Sequence, residues 1–207
     1  RLGKNRQYKK LLEDFWSEKI SEPKFNRKLK ELEIRQLQEQ KKAGIDLICC
    51  GDFSPYDHVL DTALTFGCMP GRFNCSEYFP SIQQYYSFAR GSKAVPPLEM
   101  TKWFNTNYHY LVPELPRFPQ SFKLFRNPIL KSLRRGQEAE IKNIKPYLLG
   151  PFTFLRLAKL KDDELFSRIE GLTYEYLRML EVIKKQDISM LQIDEPALVT
   201  DIGKKEW

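Results

Sequence analysis

The chain has 207 residues, of which 42% are hydrophobic and 29% are charged, a composition typical of an ordinary globular protein with its own core. No apolar run approaches the roughly 20 residues of a membrane helix, and no signal-peptide pattern opens the chain, so neither a membrane partner nor secretion is expected. The formal net charge of +7 is compatible with nucleic-acid binding, but most Lys and Arg residues alternate with Glu on predicted helices, which argues against that class.

Two helices are predicted in the first 44 residues. Asn5 can cap the first helix. The apolar stripe of this helix recurs at helical spacing and comprises Tyr8, Leu11, Leu12, Phe15 and Trp16. Its N-terminal end holds the clearest basic cluster of the chain, formed by Arg1, Lys4, Arg6, Lys9 and Lys10. Glu22-Pro23 interrupts the pattern, a second helix is predicted over residues 24–42, and Gly44 ends it.

The middle of the chain predicts two strands. The apolar residues 45–50 predict a buried strand that ends at Gly51-Asp52, and a helix is predicted over residues 56–66. Residues 74–91 are rich in aromatic side chains from Tyr78 to Phe88 and predict a partly helical segment, whose rings pack in the core rather than stack on bases. The next strand is predicted over residues 98–110. Three prolines then force an irregular connection: Pro113, Pro116 and Pro119.

The second half of the chain predicts two helices and two strands. One helix is predicted over residues 122–137, with an interruption at Pro128, and residues 145–149 predict a strand that closes on a tight loop at Gly150-Pro151. Asp162 can cap a long helix. The buried face of that helix comprises Leu165, Ile169, Leu172, Tyr176, Leu180 and Ile183. A last strand is predicted over residues 188–199, with the acidic pair Asp194-Glu195 where it ends.

Helix and strand alternate along the whole chain, which predicts an α/β fold with a parallel sheet covered on both faces. Polar residues recur where predicted strands end, at Gly51-Asp52, residues 105–109, Gly150-Pro151 and Asp194-Glu195. A (β/α)8 barrel and a doubly wound sheet both place their sites at that edge. No Gly-rich phosphate loop is present, which argues against a dinucleotide fold. Four predicted strands, against the eight of a full barrel, indicate an incomplete barrel of the TIM type.

Several segments, in order and at family-like spacing, resemble one enzyme family. They are Arg1-Leu2-Gly3 with Arg6 and Lys9-Lys10, Phe15-Trp16, residues 40–47, Gly51-Asp52-Phe53, residues 56–60, residues 99–114, residues 148–151 and residues 192–198. Together they cover essentially the whole chain, and motifs of this length are specific. On these residues the chain resembles the N-terminal part of cobalamin-independent methionine synthase.

The resemblance implies an enzyme of two tandem (β/α)8 barrels that transfers a methyl group from 5-methyltetrahydropteroyltriglutamate to homocysteine, which yields methionine. It implies a zinc ion and no cobalamin, and it places the zinc and the homocysteine in a C-terminal barrel that these 207 residues do not contain. Residues 1–207 then correspond to a truncated N-terminal barrel domain with no catalytic residue and no metal ligand of its own. Such a chain is expected to supply scaffold and folate binding in the cytoplasm, and to be inactive alone.

The resemblance also implies a site for the polyglutamate tail of the folate. Carried over position by position, this site comprises Asn5, Arg6, Gln7, Tyr8, Lys9, Lys102 and Asn107. A helix N-terminus beside Arg6 and Lys9 suits several carboxylates, because Arg binds a carboxylate through two parallel hydrogen bonds and Lys supplies a point charge. The chain departs from the usual family residues at places that leave both lysines intact: Asn5, Gln7, Tyr8 and Cys49-Cys50.

Lys102 lies in a strand that the sequence predicts to be buried. An unpaired Lys is costly in such a place, so an anionic partner is expected. Glu99 and Asp52 are alternatives to the folate for that role, and the residues alone do not choose among the three. His58 and His109 are expected to be structural, hydrogen-bonded residues rather than general bases.

Asp194-Glu195 is expected to cap the mouth of the barrel, because no nucleophile or metal cluster in the sequence needs a pair of acids for proton transfer. The four cysteines form neither a C-x-x-C pair nor a regular disulfide framework, and they are expected to be reduced thiols. Zinc binding by Cys68 and Cys75 is the less favoured alternative, since metal sites usually show tighter paired spacing. The alternative to a part of the methyltransferase is a non-catalytic folate-binding or partner-binding module derived from the same barrel.

Overall fold

The computed structural model describes residues 3–75, 80–117, 122–186 and 188–200. Arg1, Leu2, Tyr78, Phe79 and Pro119 of the sequence analysis therefore lie outside the described residues. The helices in the described part are α1 (Gln7–Trp16), α2 (Glu22–Lys42), α3 (His58–Thr65), α4 (Ile82–Arg90), α5 (Pro128–Glu138), α6 (Pro151–Leu157) and α7 (Asp162–Ile183). The strands are β1 (Ile48–Cys50), β2 (Met100–Lys102), β3 (His109–Leu111), β4 (Ile144–Leu149) and β5 (Gln192–Asp194).

Both helices predicted at the start of the chain are present, and the apolar stripe predicted for α1 contacts α2 through Phe15 and Phe25, whose ring centroids lie 4.7 Å apart. The predicted cap at Asn5 is wrong. Residues Lys4–Arg6 form a short 3-10 turn, and Asn5 has a positive φ of 54°, so its side chain does not cap α1. Helix α2 begins at Glu22 rather than at residue 24, because Pro23 fits the first turn of a helix, where its missing N–H is not needed.

A three-stranded parallel sheet in the order β1-β4-β5 confirms the predicted fold class. Its register pairs Cys49 with Lys145, and Leu148 with Ile193. The strands are shorter than their apolar runs: the last one covers only Gln192–Asp194 and gives way to a 3-10 turn at Pro196–Val199. The prediction of a strand over residues 188–199 is therefore too long, because Pro196 has no N–H for a ladder.

The prediction of a single strand over residues 98–110 is wrong. Strands β2 and β3 pair antiparallel in a sheet of their own, with Met100 opposite Leu111 and Lys102 opposite His109. The chain reverses because Thr106 fixes a turn: its hydroxyl donates to the carbonyl of Trp103 (2.6 Å) and accepts from the N–H of Tyr108 (3.1 Å). The polar residues 105–109 thus form a turn and a returning strand, and do not follow a strand of the parallel sheet.

Helices cover the parallel sheet through a central hydrophobic cluster, which contains the buried residues of α3, α5, α6 and α7 that pack on β4. Phe154, Leu172 and Met179 are fully buried in it. The hydroxyl of Tyr176 donates to the carbonyl of Leu149 at 2.5 Å, which ties α7 to the end of β4. The buried face predicted for the long helix is confirmed, but the predicted cap at Asp162 is wrong, because Asp162 is already helical and Lys161 occupies the cap position without a side-chain hydrogen bond. The helix predicted from residue 122 begins only at Pro128.

Two further clusters complete the core. The N-terminal cluster packs α1, α2, α3, α4 and the β2–β3 hairpin together, and its buried members are Leu11, Phe25, Leu29, Leu60, Leu64, Tyr85, Tyr86, Phe88, Leu98 and Leu111. The core role predicted for the described aromatics of residues 74–91 is thereby confirmed. The edge cluster packs α2 and α5 against β1, and comprises Leu37, Ile48, Cys50, Ala139 and Ile141.

The described residues therefore show a mixed α/β fold with one parallel sheet and one separate hairpin. The (β/α)8 arrangement stays a prediction, since three parallel strands do not close a barrel. In the part of the chain that the structure describes, no helix combines the length and the apolar character needed to cross a membrane.

Candidate functional site

The N-terminal basic residues lie on the surface at the start of α1. Lys4, Arg6, Lys9 and Lys10 are all exposed. Lys9 forms an ion pair with Glu13 one turn further along, with 3.5 Å between the ammonium nitrogen and the carboxylate oxygen. Both side chains are more than half exposed, so this pair is weak and leaves Lys9 available to another anion.

The backbone before α1 leaves the helix N-terminus without a side-chain cap. Arg6 occupies the cap position in the left-handed conformation, with φ of 59°, and its own side chain accepts nothing. The first N–H groups of a helix lack intrahelical acceptors and carry a partial positive charge. Together with the exposed Arg6 and Lys9, this end of α1 has the chemistry of a carboxylate site.

Gln7 and Tyr8 are half-buried, unlike their basic neighbours. The Tyr8 hydroxyl donates to the carbonyl of Pro55 and lies 2.6 Å from the hydroxyl of Tyr86. Burial raises the pKa of Tyr8 to about 12, so the phenol stays neutral. The Tyr8 side chain therefore anchors α1 to the loop after β1, and its proposed contact with a folate tail would come from the backbone.

Lys102 and Asn107 are both exposed on the β2–β3 hairpin. The premise that Lys102 lies in a buried strand is wrong, because the hairpin turns that strand segment out to the surface. Glu99 pairs with Lys159 instead of Lys102. Lys102 therefore needs no internal anion, and its ammonium group faces solvent.

The structure places the two groups of predicted tail-binding residues on separate elements. Within the described ranges, no hydrogen bond or ion pair joins the start of α1 to the hairpin. The two elements nevertheless share the N-terminal cluster, to which α1 contributes Leu11 and β3 contributes Leu111. They are thus two surface features on one packed unit.

The acidic pair after β5 is structural, as predicted. The Glu195 carboxylate accepts from the N–H groups of Phe152 (3.0 Å) and Thr153 (2.7 Å), and so caps the N-terminus of α6. The N–H of Gly150 donates to the carbonyl of Asp194 at 2.8 Å, which joins the ends of β4 and β5. The Asp194 carboxylate accepts from the side-chain amide of Gln192 at 2.8 Å, so both acids have partners within the local fold.

A cavity of about 400 Å³ lies between α2, α3, α5 and the sheet. Three of its charged lining residues have partners: Arg126 pairs with Asp61 at 3.6 Å, and Glu33 accepts from Arg135 at 3.3 Å. Burial raises the pKa of Glu33, and nearby Lys131 and Arg135 oppose that rise. The lining of the cavity is more apolar than polar, and several of its charged groups already have protein partners.

The two histidines lie outside the buried core. His58 is exposed at the start of α3, with its ring centroid 5.9 Å from that of Tyr147. His109 is exposed on β3, opposite Lys102. We expected both to be hydrogen-bonded structural residues. Both side chains are exposed instead, and neither makes a hydrogen bond among the described residues.

The four cysteines are free thiols, and all but Cys49 belong to or contact one of the three clusters. Cys68 is buried in the central cluster, Cys75 packs against the N-terminal cluster, and Cys50 is buried in the edge cluster. Burial raises the pKa of all three thiols. Among the described residues, no three His, Cys, Asp or Glu side chains form a group that could hold a metal ion, so Cys68 and Cys75 have no third ligand for zinc.

Asp57 is the polar residue that the sequence analysis did not single out. It is 6% exposed and accepts three backbone hydrogen bonds, from Val59 (3.1 Å), Leu60 (3.2 Å) and Leu111 (2.9 Å). Its position just before the apolar run of α3 is the usual signal of a helix cap, but nothing local predicts the contact with Leu111. Burial raises its pKa to about 6, and the three N–H donors oppose that rise.

A family model described as the N-terminal domain of cobalamin-independent synthase matches residues 1–207. The chain belongs to this family. Relatives named 5-methyltetrahydropteroyltriglutamate–homocysteine methyltransferase are 44% identical in Herpetosiphon aurantiacus, 40% in Halalkalibacterium halodurans and 43% in Bacillus cereus. Each alignment covers 100% of this chain but 27% of the relative, so this synthase-family chain spans about a quarter of their length.

Proposed function

We propose that this chain is part of a methyltransferase that moves the methyl group of 5-methyltetrahydropteroyltriglutamate to homocysteine, and that it binds the polyglutamate tail. The observation that carries the proposal is the match of the whole chain, at 40% to 44% identity, to relatives that bear this name. Residues 1–207 would form part of an N-terminal barrel domain, whose further strands extend the parallel sheet. The compartment proposed is the cytoplasm.

The surface chemistry of α1 supports the tail-binding part of the proposal. A triglutamate tail presents several carboxylates, and α1 offers exposed Arg6 and Lys9 beside an uncapped helix N-terminus. Lys102 and Asn107 add an exposed cation and an exposed amide on the hairpin. A solvent-facing Lys with no competing internal anion is suited to bind a ligand carboxylate.

The zinc and the homocysteine of the proposed reaction belong outside this chain. The described residues do not fit a zinc ion, since they contain no group of three ligating side chains. No chemical step is therefore assigned to residues 3–200, whose proposed roles are scaffold and tail binding. The isolated chain is expected to form no methionine from the two substrates.

Calorimetry with mono- and triglutamyl folate tests the proposal. The triglutamate should bind at least about tenfold more tightly, because charge-assisted hydrogen bonds contribute roughly 1.5–3 kcal/mol each. Lys9→Ala and Lys102→Ala should each reduce this preference, and added salt should weaken it. Lys28→Ala removes one exposed positive charge from the middle of α2 and controls for net charge.

Equal affinity for the two folates would show that the chain does not bind the tail. The assignment of individual residues fails separately if Lys9→Ala and Lys102→Ala match Lys28→Ala. Methionine formation by the 207-residue chain alone would contradict the division of roles between this chain and the rest of the enzyme.

A further inference from the structure

The Asp57 carboxylate joins two elements that are far apart in the sequence. Its Oδ1 accepts from Val59 at the start of α3, and its Oδ2 accepts from Leu60 and from Leu111. Leu111 ends β3 and lies 54 residues further along the chain. One buried side chain thus caps a helix and binds the returning strand of the hairpin.

Beside the Asp57 contacts, the hairpin is held by the buried side chains of Tyr110 in the central cluster and Leu111 in the N-terminal cluster, and by two other polar contacts. The Tyr110 hydroxyl donates to the carbonyl of Leu157 at 2.9 Å, near the end of α6. The ion pair between Glu99 and Lys159 lies on the surface, where screening by water makes it weak. The three N–H groups around Asp57 are buried and would be costly to leave without an acceptor.

The hairpin is also the element on which Lys102 and Asn107 lie. Both residues precede Leu111 in the hairpin, and both are exposed while Tyr110 and Leu111 are buried. A displacement of β3 along α3 would therefore move the two exposed residues relative to α1, since α1 and β3 meet in the N-terminal cluster. The position of the hairpin decides the distance between the two groups of tail-binding residues.

We propose that Asp57 is a positioning residue for the folate tail, which acts by fixing the hairpin of Lys102 and Asn107 to the N-terminus of α3. The inference rests on the proposed function, because it names the residue that sets the geometry of that same site. Asp57 itself touches no substrate in this proposal. Its effect passes through the backbone of Leu111.

The shape of the contact explains why an acid is needed. A carboxylate supplies two oxygens with room for three N–H donors, and Asp has the length to reach both α3 and Leu111. Ser is an equally good helix cap but is shorter and has a single oxygen, so Asp57→Ser should keep the cap and lose Leu111. Asn keeps one acceptor oxygen, so Asp57→Asn should retain part of the contact.

The test combines hydrogen exchange with folate calorimetry on the full chain. In Asp57→Ser, the amides of β2 and β3 should exchange at least about tenfold faster, while those of β1 and β4 change little. The preference for triglutamyl over monoglutamyl folate should fall at least about fivefold. Asp57→Asn should restore part of both, whereas a general loss of stability would also speed exchange in β1 and β4.

Ser81→Ala is the matched control. Ser81 caps α4 by accepting from the N–H of Gln84 at 3.1 Å, and it makes no hydrogen bond to the hairpin. Its loss removes a helix cap in the same cluster without touching Leu111. This variant should exchange like the wild type in β2 and β3 and keep the preference for triglutamate.

Two results would overturn the inference. One is unchanged exchange of β2 and β3 in both Asp57 variants. The other is faster exchange with an unchanged preference for triglutamate, since the hairpin position would then not matter to the tail. If the wild type shows no preference at all, the proposed function fails, and the exchange data still decide whether Asp57 holds the hairpin.

Discussion

The parallel sheet and the β2–β3 hairpin both present polar residues, but the fold uses them differently. At the end of the sheet, the Glu195 carboxylate caps α6 and the Asp194 carboxylate accepts from the side-chain amide of Gln192. On the hairpin, Lys102 and Asn107 face solvent. The difference teaches that a polar residue at a strand end becomes a candidate for ligand binding only when the local backbone does not already occupy it.

The two regions also differ in how they are held. The sheet lies under α6 and α7 and is stabilised mainly by buried apolar contact in the central cluster. The hairpin has a smaller apolar attachment, with Leu111 in the N-terminal cluster and Tyr110 in the central cluster, and it adds polar contacts, foremost those of Asp57. Substitutions in the sheet region should therefore change global stability, and substitutions on the hairpin should change binding.

The largest expected effect is in the central cluster. Phe154→Ala should lower the free energy of unfolding by about 3–5 kcal/mol, because this ring is fully buried and its loss leaves a cavity. Phe166→Ala is the control, since Phe166 lies on α7 with 37% of its surface exposed, and it should cost less than half as much. Urea denaturation measures both, and equal losses would contradict the division between core and surface.

Asp57 should give the protein a specific pH dependence. Its pKa is about 6 when folded, against a model-peptide value of 3.8, so the folded state takes up a proton before the unfolded state does. This proton uptake adds about 3 kcal/mol to the free energy of unfolding below pH 3.8. The added stability is lost as the pH rises through about 6. Asp57→Asn should lack this component.

Denaturation curves of wild type and Asp57→Asn between pH 4 and pH 7 measure the effect as a difference of slopes. The stability of the wild type relative to the variant should increase as the pH falls. Parallel curves would mean that Asp57 titrates alike in both states, and a difference of opposite sign would mean that its three N–H donors outweigh its burial.

Replacement of Gly150 by Ala should destabilise the protein, whereas the same replacement at the exposed Gly171 of α7 should stabilise it. A Cβ at Gly150 would meet the Glu195 carboxyl carbon at 2.1 Å, so Gly150→Ala should displace the cap of α6 and cost about 1–2 kcal/mol. A Cβ at Gly171 meets nothing within 4 Å, and Gly171→Ala should stabilise α7 by about 0.5–1 kcal/mol. Thermal denaturation of the two variants should show shifts of opposite sign.

The smallest effect on stability is expected on the hairpin. Lys102→Ala should change the free energy of unfolding by less than about 0.5 kcal/mol, because the side chain is exposed and has no described ion pair. The same variant should lose preference for triglutamyl folate, as calorimetry would show. A loss of stability above about 1.5 kcal/mol would instead support the buried, internally paired Lys102 that the sequence suggested.

Helices were predictable where apolar periodicity was strong, as in α1, α2 and α7. The parallel sheet was also predictable, because short apolar runs alternate with helices. The hairpin was not: residues 98–110 contain no Gly or Pro after Leu98, and the turn depends on the Thr106 hydroxyl. Side-chain hydrogen bonds of this kind leave no trace in a hydrophobic pattern.

The candidate site was predictable only in part, because tertiary contacts, like the side-chain hydrogen bonds of the hairpin, are not visible in a local sequence pattern. Residue types near α1 indicated an anion site, and the exposed Arg6 and Lys9 agree with that chemistry. The burial of Lys102 was wrongly inferred, since burial depends on which strands pair. The contact from Asp57 to Leu111 spans 54 residues and arises from tertiary packing, which no local motif encodes.

Each hydrophobic cluster contains or contacts one cysteine, and the two that are fully buried can report the opening of their clusters. Burial keeps the thiols of Cys50, Cys68 and Cys75 protonated, and a protonated thiol reacts slowly with alkylating reagents. Modification of the two fully buried thiols, Cys50 and Cys68, requires their cluster to open. Cys75 is half-buried and can react without such opening, so the relative alkylation rates of Cys50 and Cys68 would show which of the edge and central clusters opens first.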